Sequence, residues 1–129
     1  MRRLSLLAAL CLLSGCTFLG GGETGRKYVV FFTKGSARVD APGRNVIAEA
    51  AAAARHHPDA TIVVAGYAAA HGNLDADERI SADRADAVAA ALRADGVAAS
   101  RISEHARPPA NEDPGVAARR VEIGFVSPL

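Results

Sequence analysis

Two short runs, Tyr28-Val29-Val30-Phe31-Phe32 and Thr61-Ile62-Val63-Val64-Ala65, are β-branched and aromatic, and a helical stretch lies between them. That order constrains the chain more than any other feature. Runs of this length and composition suit buried strands and are too short for helices. Asp40-Ala41-Pro42 supplies a cap and a first-turn proline, which predicts a helix over 42–56 that stops before Pro58. Val46, Ile47, Ala50 and Ala54 share one face of it. Gly66 closes the second strand. A longer helix is predicted over 74–95, with Ile80, Ala87, Val88, Ala91 and Leu92 as its apolar stripe. Gly96 is placed to be the left-handed residue beyond its end. Arg101-Ile102-Ser103 reads as a weak third strand and 107–118 as a proline-bearing loop. Residues 120–126 alternate apolar and polar, the pattern of a half-buried strand. The order β-α-β-α-β-β predicts an α/β chain of the two-layer α+β sandwich type, with a mixed sheet and its helices packed on one face.

The 129 residues fit about one domain. Half are hydrophobic, but with no Trp and four Phe the core must be made of Val, Ile, Leu and Ala. Two cysteines cannot build a disulfide framework at this length. The net charge of +1 shows no basic excess, which argues against a nucleic-acid partner bound through its phosphates.

The first sixteen residues have a separate logic. Met1-Arg2-Arg3 is a short positive segment, and the apolar run over 4–13 that follows is ten residues long. As a helix it would cover about 15 Å, half of a hydrocarbon core of about 30 Å, so it suits a secretory signal rather than a membrane span. Leu13-Ser14-Gly15-Cys16 then resembles the bacterial lipobox. The resemblance implies cleavage before Cys16, lipidation of that residue and loss of Cys11 with the signal peptide, leaving no free thiol in an oxidising periplasm. Several acyl chains would make a stable anchor where one is marginal. Thr17 rather than Asp after the cysteine implies sorting to the outer membrane. Removal of Arg2 and Arg3 leaves 13 basic against 14 acidic side chains. The expected organisation is a signal peptide over 1–15, a lipid anchor and Gly-rich linker over 16–26, and a domain over 27–129. Residues 17–26 reach at most ~35 Å when extended.

Catalytic chemistry finds no constellation in this chain. His56 and His57 are adjacent and point about 100° apart on a helix, so they cannot share a metal as an i, i+4 pair does. A helix C-terminus explains them through its dipole. His71 and His105 stand alone, and the glycines at 20–22 precede all predicted structure. No enzyme activity, cofactor or metal is expected.

Several motifs in order resemble the OmpA-like, peptidoglycan-associated domain. They are Phe32-Thr33-Lys34-Gly35-Ser36, the glycines Gly66 and Gly72, Ile80-Ser81-Ala82-Asp83-Arg84-Ala85-Asp86-Ala87-Val88, Gly96-Val97 with Arg101-Ile102, and Arg119-Arg120-Val121-Glu122-Ile123. They cover about 100 residues. The resemblance implies a site for the diaminopimelate of the peptidoglycan stem peptide, in which an Asp takes the ligand ammonium and an Arg its carboxylate. Arg84 matches that arginine; a fork-shaped cation grips a carboxylate through two bonds. Ala68 and Ala69 stand where the family has Thr-Asp. Asp77, at the family's Asn position, or Asp75 nearby is then the candidate anion, with Asp77 and Arg84 expected at the exposed mouth of a pocket. Two readings follow. One is an outer-membrane lipoprotein whose periplasmic domain holds peptidoglycan non-covalently. The other is a structural or protein-interaction envelope lipoprotein that keeps the fold without the ligand. For Arg84 itself the alternative to a ligand role is a helix-surface residue paired with Asp77, Asp83 or Asp86. Tyr67 is expected to pack at the sheet end, and Arg119 and Arg120 to flank the last strand.

Overall fold

The computed structural model describes residues 25–69, 73–107 and 115–128. The signal segment, Cys16, most of the linker, His71 and Gly72 therefore lie outside the described residues. Four strands and two long helices follow the chain as β1 (Tyr28–Phe31), α1 (Ala41–His56), β2 (Thr61–Gly66), α2 (Leu74–Ala94), β3 (Ile102–Ala106) and β4 (Arg120–Val126). Short 3₁₀ turns precede β3 and β4, at Ala99–Arg101 and Val116–Ala118.

The sheet order is β1-β4-β2-β3. β4 runs antiparallel to both neighbours, while β2 and β3 are parallel, so the sheet is mixed. In register, Val30 faces Val121, Ile62 faces Phe125 and Val64 faces Ile123. These are the inward positions of a period-two pattern, and all six are buried. Ile47, Ala50, Ala51 and Ala54 of α1 and Ala85, Val88 and Leu92 of α2 complete the same core cluster. Apart from Phe32 and Phe125 the core is aliphatic and alanine-rich, and it and the two-layer architecture agree with the sequence pattern.

Local chemistry sets the boundaries. Asp40 caps α1 by accepting from the Gly43 N–H at 2.8 Å, and Asn73 caps α2 by accepting from the Ala76 N–H at 3.1 Å. Beyond α2, Gly96 sits at φ +97° and the Val97 N–H reaches back to the Leu92 carbonyl, the left-handed stop expected of that glycine. Gly66 marks the closest approach of strand to helix: a Cβ there would lie 2.0 Å from the Ser81 carbonyl oxygen.

Two expectations need correction. The third strand is not 101–103 but runs to Ala106, because Ile102 to Ala106 pair in parallel with Ile62 to Gly66. The buried stripe of α2 is also rotated from the expected one. Asp77, Ser81, Arg84, Ala85, Val88, Ala89 and Leu92 are buried, whereas Ile80, Ala87 and Ala91 are only partly so. The face that meets the sheet is chosen by size and fit at the close approach to Gly66, and it carries polar residues in its first half.

The ends of the sheet differ. The chain enters β1 beside Phe125 and His57, where Arg26 lies over the Tyr28 ring and the rings of Tyr28 and His57 flank Phe125 at 6.1 and 6.0 Å. The C-terminal ends of β1 and β2 emerge at the opposite end.

Candidate functional site

At that opposite end, β1 leads into a turn over Thr33–Ser36, closed by the Ser36 N–H donating to the Thr33 carbonyl at 3.1 Å. Gly35 takes φ +69° within it, a conformation that a side chain disfavours. Arg84 rises from α2 beneath this turn. Its Nε donates to the Ser36 carbonyl at 2.9 Å, one terminal nitrogen to Tyr67 O at 3.1 Å and the other to Thr33 O at 3.3 Å. The guanidinium also lies 5.4 Å from the centre of the Phe32 ring. Arg84 is 1 % exposed. Burial pushes its pKa below the ordinary arginine value, and the neighbouring Arg119 acts in the same direction. A buried guanidinium needs its donors satisfied, and here backbone carbonyls do this.

The expectation of Arg84 as a helix-surface residue is thus corrected. Among the described residues the hydrogen bonds of Arg84 go to three carbonyls and not to Asp77, Asp83 or Asp86. The expected exposure at a pocket mouth is corrected too, since Asp77 is 4 % exposed. Helical spacing explains both: positions 77, 81, 84 and 88 recur at i+4, i+3 and i+4, so they share one face, and that face is turned inward.

A pocket of about 290 Å³ opens here, walled by Ala76, Asp77, Ile80 and Arg84 of α2, Ala68 after β2, and Lys34-Gly35 of the turn. Of the residues singled out by sequence, the fold brings Arg84, Asp77 and Ala68 to this one cavity. Ala69 is buried but is not among the walls, and Asp75 borders a separate shallow groove with Glu78 and Arg79. Lys34 lies inside the Phe32–Ser36 motif, but nothing in its spacing distinguishes it from a solvated lysine. The pocket therefore presents two cations and one carboxylate on an otherwise small and apolar lining, a combination suited to the charged end of an amino acid.

The flanking arginines have separate duties. Arg119 Nε donates to the Phe32 carbonyl at 3.2 Å, tying β4 to the end of β1. Arg120 stacks 4.1 Å over the Tyr67 ring and bonds Glu122 at 3.2 Å, on the sheet face away from the helices. Arg101 was read only as part of a turn motif, yet it reaches the carbonyls of Ala54, His57 and Ala60 and so closes the C-terminal end of α1. Among the described residues no group of three or more His, Cys, Asp or Glu is placed to hold a metal ion. No helix among them is long and apolar enough to cross a membrane.

Comparison with known proteins places this architecture. The OmpA family profile matches residues 31–121, well over half of the chain. The chain belongs to the OmpA family. A curated relative, the probable lipoprotein YiaD of Escherichia coli (strain K12), is 38 % identical over 82 residues, covering 64 % of this chain and 37 % of that protein. This OmpA-family chain thus spans little more than a third of that relative's length. Among solved structures, the peptidoglycan-associated lipoprotein of Burkholderia pseudomallei superposes with a TM-score of 0.69 at 20 % identity, covering 76 % of this chain and 89 % of that one. The cell wall anchor of the T6SS from Pseudomonas aeruginosa superposes at 0.62 with 24 % identity, covering 79 % and 82 %. At these identities the structures establish the OmpA-like fold. The expected two-layer α+β sandwich with a mixed sheet is borne out.

Proposed function

We propose that this chain is a non-catalytic envelope lipoprotein, anchored in the outer membrane through Cys16, whose domain over 27–129 holds peptidoglycan non-covalently by the diaminopimelate of its stem peptide. The observation that carries this reading is the meeting of Arg84 and Asp77 in one pocket. Three of the five N–H donors of Arg84 hold carbonyls, and the guanidinium is fixed in place before any ligand arrives. A carboxylate in the pocket then meets a cation that loses little freedom on binding. Asp77 supplies the opposite charge for an ammonium, in the role that the family gives to an acid at position 69. Lys34 at the rim adds a second attraction for carboxylate. The names of the two solved relatives, a peptidoglycan-associated lipoprotein and a cell wall anchor, support the same reading.

A second reading has its own support. Ala69 is buried where the family places its acid, and Arg84 is committed to shaping the fold; both suit an envelope lipoprotein that keeps the architecture and meets a protein partner instead of the wall.

Sacculus pull-down and calorimetry with a diaminopimelate-containing muropeptide separate the two. Residues 17–129 suffice, because every member of the core cluster lies between Val30 and Phe125. Binding by the wild type that Asp77→Asn weakens about tenfold supports the wall reading. Binding absent in the wild type and gained by Ala69→Asp would identify a site disabled at that one position. Binding absent in both rejects peptidoglycan and leaves the structural reading. For the anchor, Cys16→Ser should release the protein from the membrane fraction, and unchanged fractionation would reject lipidation there.

A further inference from the structure

The turn over Thr33–Ser36 has two sides. Lys34 and Gly35 wall the pocket already described, whereas Thr33 and Ser36 wall a second cleft, also about 290 Å³, completed by Arg38, Val39, Asp40 and Arg44. We propose that this second cleft is an anion subsite, in which Arg38 and Arg44 take a further carboxylate of the same wall peptide. The proposal rests on the peptidoglycan reading above and adds to it a second contact point on the ligand.

Charge and geometry both support it. Arg38 and Arg44 are exposed at the cleft, and Arg44 is steadied by one guanidinium nitrogen donating to Val39 O at 3.3 Å. The Arg38 N–H donates to the Ser36 hydroxyl at 3.0 Å, which fixes the backbone from which that arginine projects. Asp40 is the acid of the cleft, and its Oδ1 is turned to the Gly43 N–H as the helix cap. Two cations therefore face one carboxylate that is already engaged. The clefts are separated by a single turn, whose ends lie less than ~7 Å apart. Three residues of an extended peptide span roughly 10 Å. A stem peptide whose diaminopimelate carboxylate occupies the Arg84 pocket can thus place the carboxylate of a neighbouring residue against Arg38 and Arg44. Arg84 holds both Thr33 O and Ser36 O, so it fixes the spacing between the two sites.

The experiment compares two ligands by calorimetry on residues 17–129: a disaccharide tetrapeptide carrying several carboxylates, and free diaminopimelate, which lacks the carboxylates of the neighbouring peptide residues. The wild type should bind the tetrapeptide more tightly. Arg38→Gln/Arg44→Gln should weaken the tetrapeptide about tenfold, leave diaminopimelate unchanged and flatten the salt dependence of tetrapeptide binding, because exposed ion pairs are screened. Arg38→Lys/Arg44→Lys should keep part of the gain. Equal loss on both ligands, or no loss on the tetrapeptide, overturns the second subsite while the first pocket stands. Equal affinity of the wild type for the two ligands does the same. Failure of the wild type to bind either ligand overturns the peptidoglycan reading and this subsite with it. Both arginines lie outside the core, so an unchanged unfolding midpoint confirms that the variant is folded.

Discussion

Arg84 Nε donates to the Ser36 carbonyl at 2.9 Å, joining positions 48 residues apart. The bond makes one side chain both a wall of the pocket and the staple that shapes the pocket. Its other two acceptors, Thr33 O and Tyr67 O, extend the staple to the start of the turn and to the strand end opposite.

Removing that staple should cost fold stability as well as any binding. Arg84→Ala deletes three charge-assisted bonds and leaves three carbonyls and a buried void, a loss of about 3–5 kcal/mol. Arg84→Lys should recover only part of it, since an ammonium cannot reproduce the planar fork. Urea denaturation measures both, and a loss under ~1 kcal/mol for the alanine variant would contradict the staple.

Gly66→Ala tests the strand–helix contact. The added Cβ would lie 2.0 Å from Ser81 O, with Ala85 Cβ at 3.2 Å behind it. Backbone must move, so α2 should shift and the domain lose about 1–3 kcal/mol or more. Thermal unfolding reads this directly, and an unchanged midpoint would show that the helix yields without cost.

Arg101→Ala should destabilise without touching the pocket. It leaves the carbonyls of Ala54, His57 and Ala60 without their shared donor, at a cost of about 1–3 kcal/mol. Because these groups lie at the other end of the sheet, muropeptide affinity should stay within about twofold of wild type. A larger change would show coupling between the two ends.

Glu104 gives stability a pH dependence. A hydrogen bond with Asp86 raises its pKa above the ordinary glutamate value, burial and the Asp86 charge add to the rise, and Arg93, 3.7 Å away, opposes it. The folded state therefore prefers the protonated form. The corresponding stabilisation is complete below the unfolded-state value, near pH 4, and is lost as pH rises through the raised one. With a third of the side chain exposed the effect is modest. Denaturation across that range should show a downward slope for wild type that flattens in Glu104→Gln; identical slopes would remove Glu104 as its source.

Strand and helix positions were legible in the sequence where apolarity and periodicity coincided. Val30, Ile62 and Val64 are buried as their apolar runs require, Ile123 and Phe125 are inward as the alternation requires, and Gly96 stops α2 as its type suggests. The second half of β3 was hidden because Ser103, Glu104 and His105 form a polar edge strand, held by pairing with β2 and not by burial of their side chains. The inner face of α2 was misread for a related reason. Sequence periodicity weighs apolar side chains, but at the narrow contact with Gly66 it is Ser81 and Ala85 that fit, and Arg84 is drawn in by carbonyls contributed from distant segments. Arg84 and Asp77 were found through the family motif alone. Arg84 is held by contacts across 17 to 51 positions, which no local pattern encodes.

The placement of the chain entry and the pocket at opposite ends of the sheet has a mechanical meaning. β1 runs from the entry at Arg26 to the turn at Thr33, and along the way it pairs with β4 from Tyr28↔Ile123 to Phe31↔Arg120. On the function proposed above, a pull between a lipid on Cys16 and a wall peptide in the pocket would be directed along the axis of β1, across hydrogen bonds that stand perpendicular to the strands. Such a load is resisted in shear, with the pairs of the ladder sharing the tension together, whereas a pull from one end would peel them apart one at a time. Arg84 and Arg119 rivet the far end of that strand to α2 and β4, so the same bonds that shape the pocket also carry force away from it.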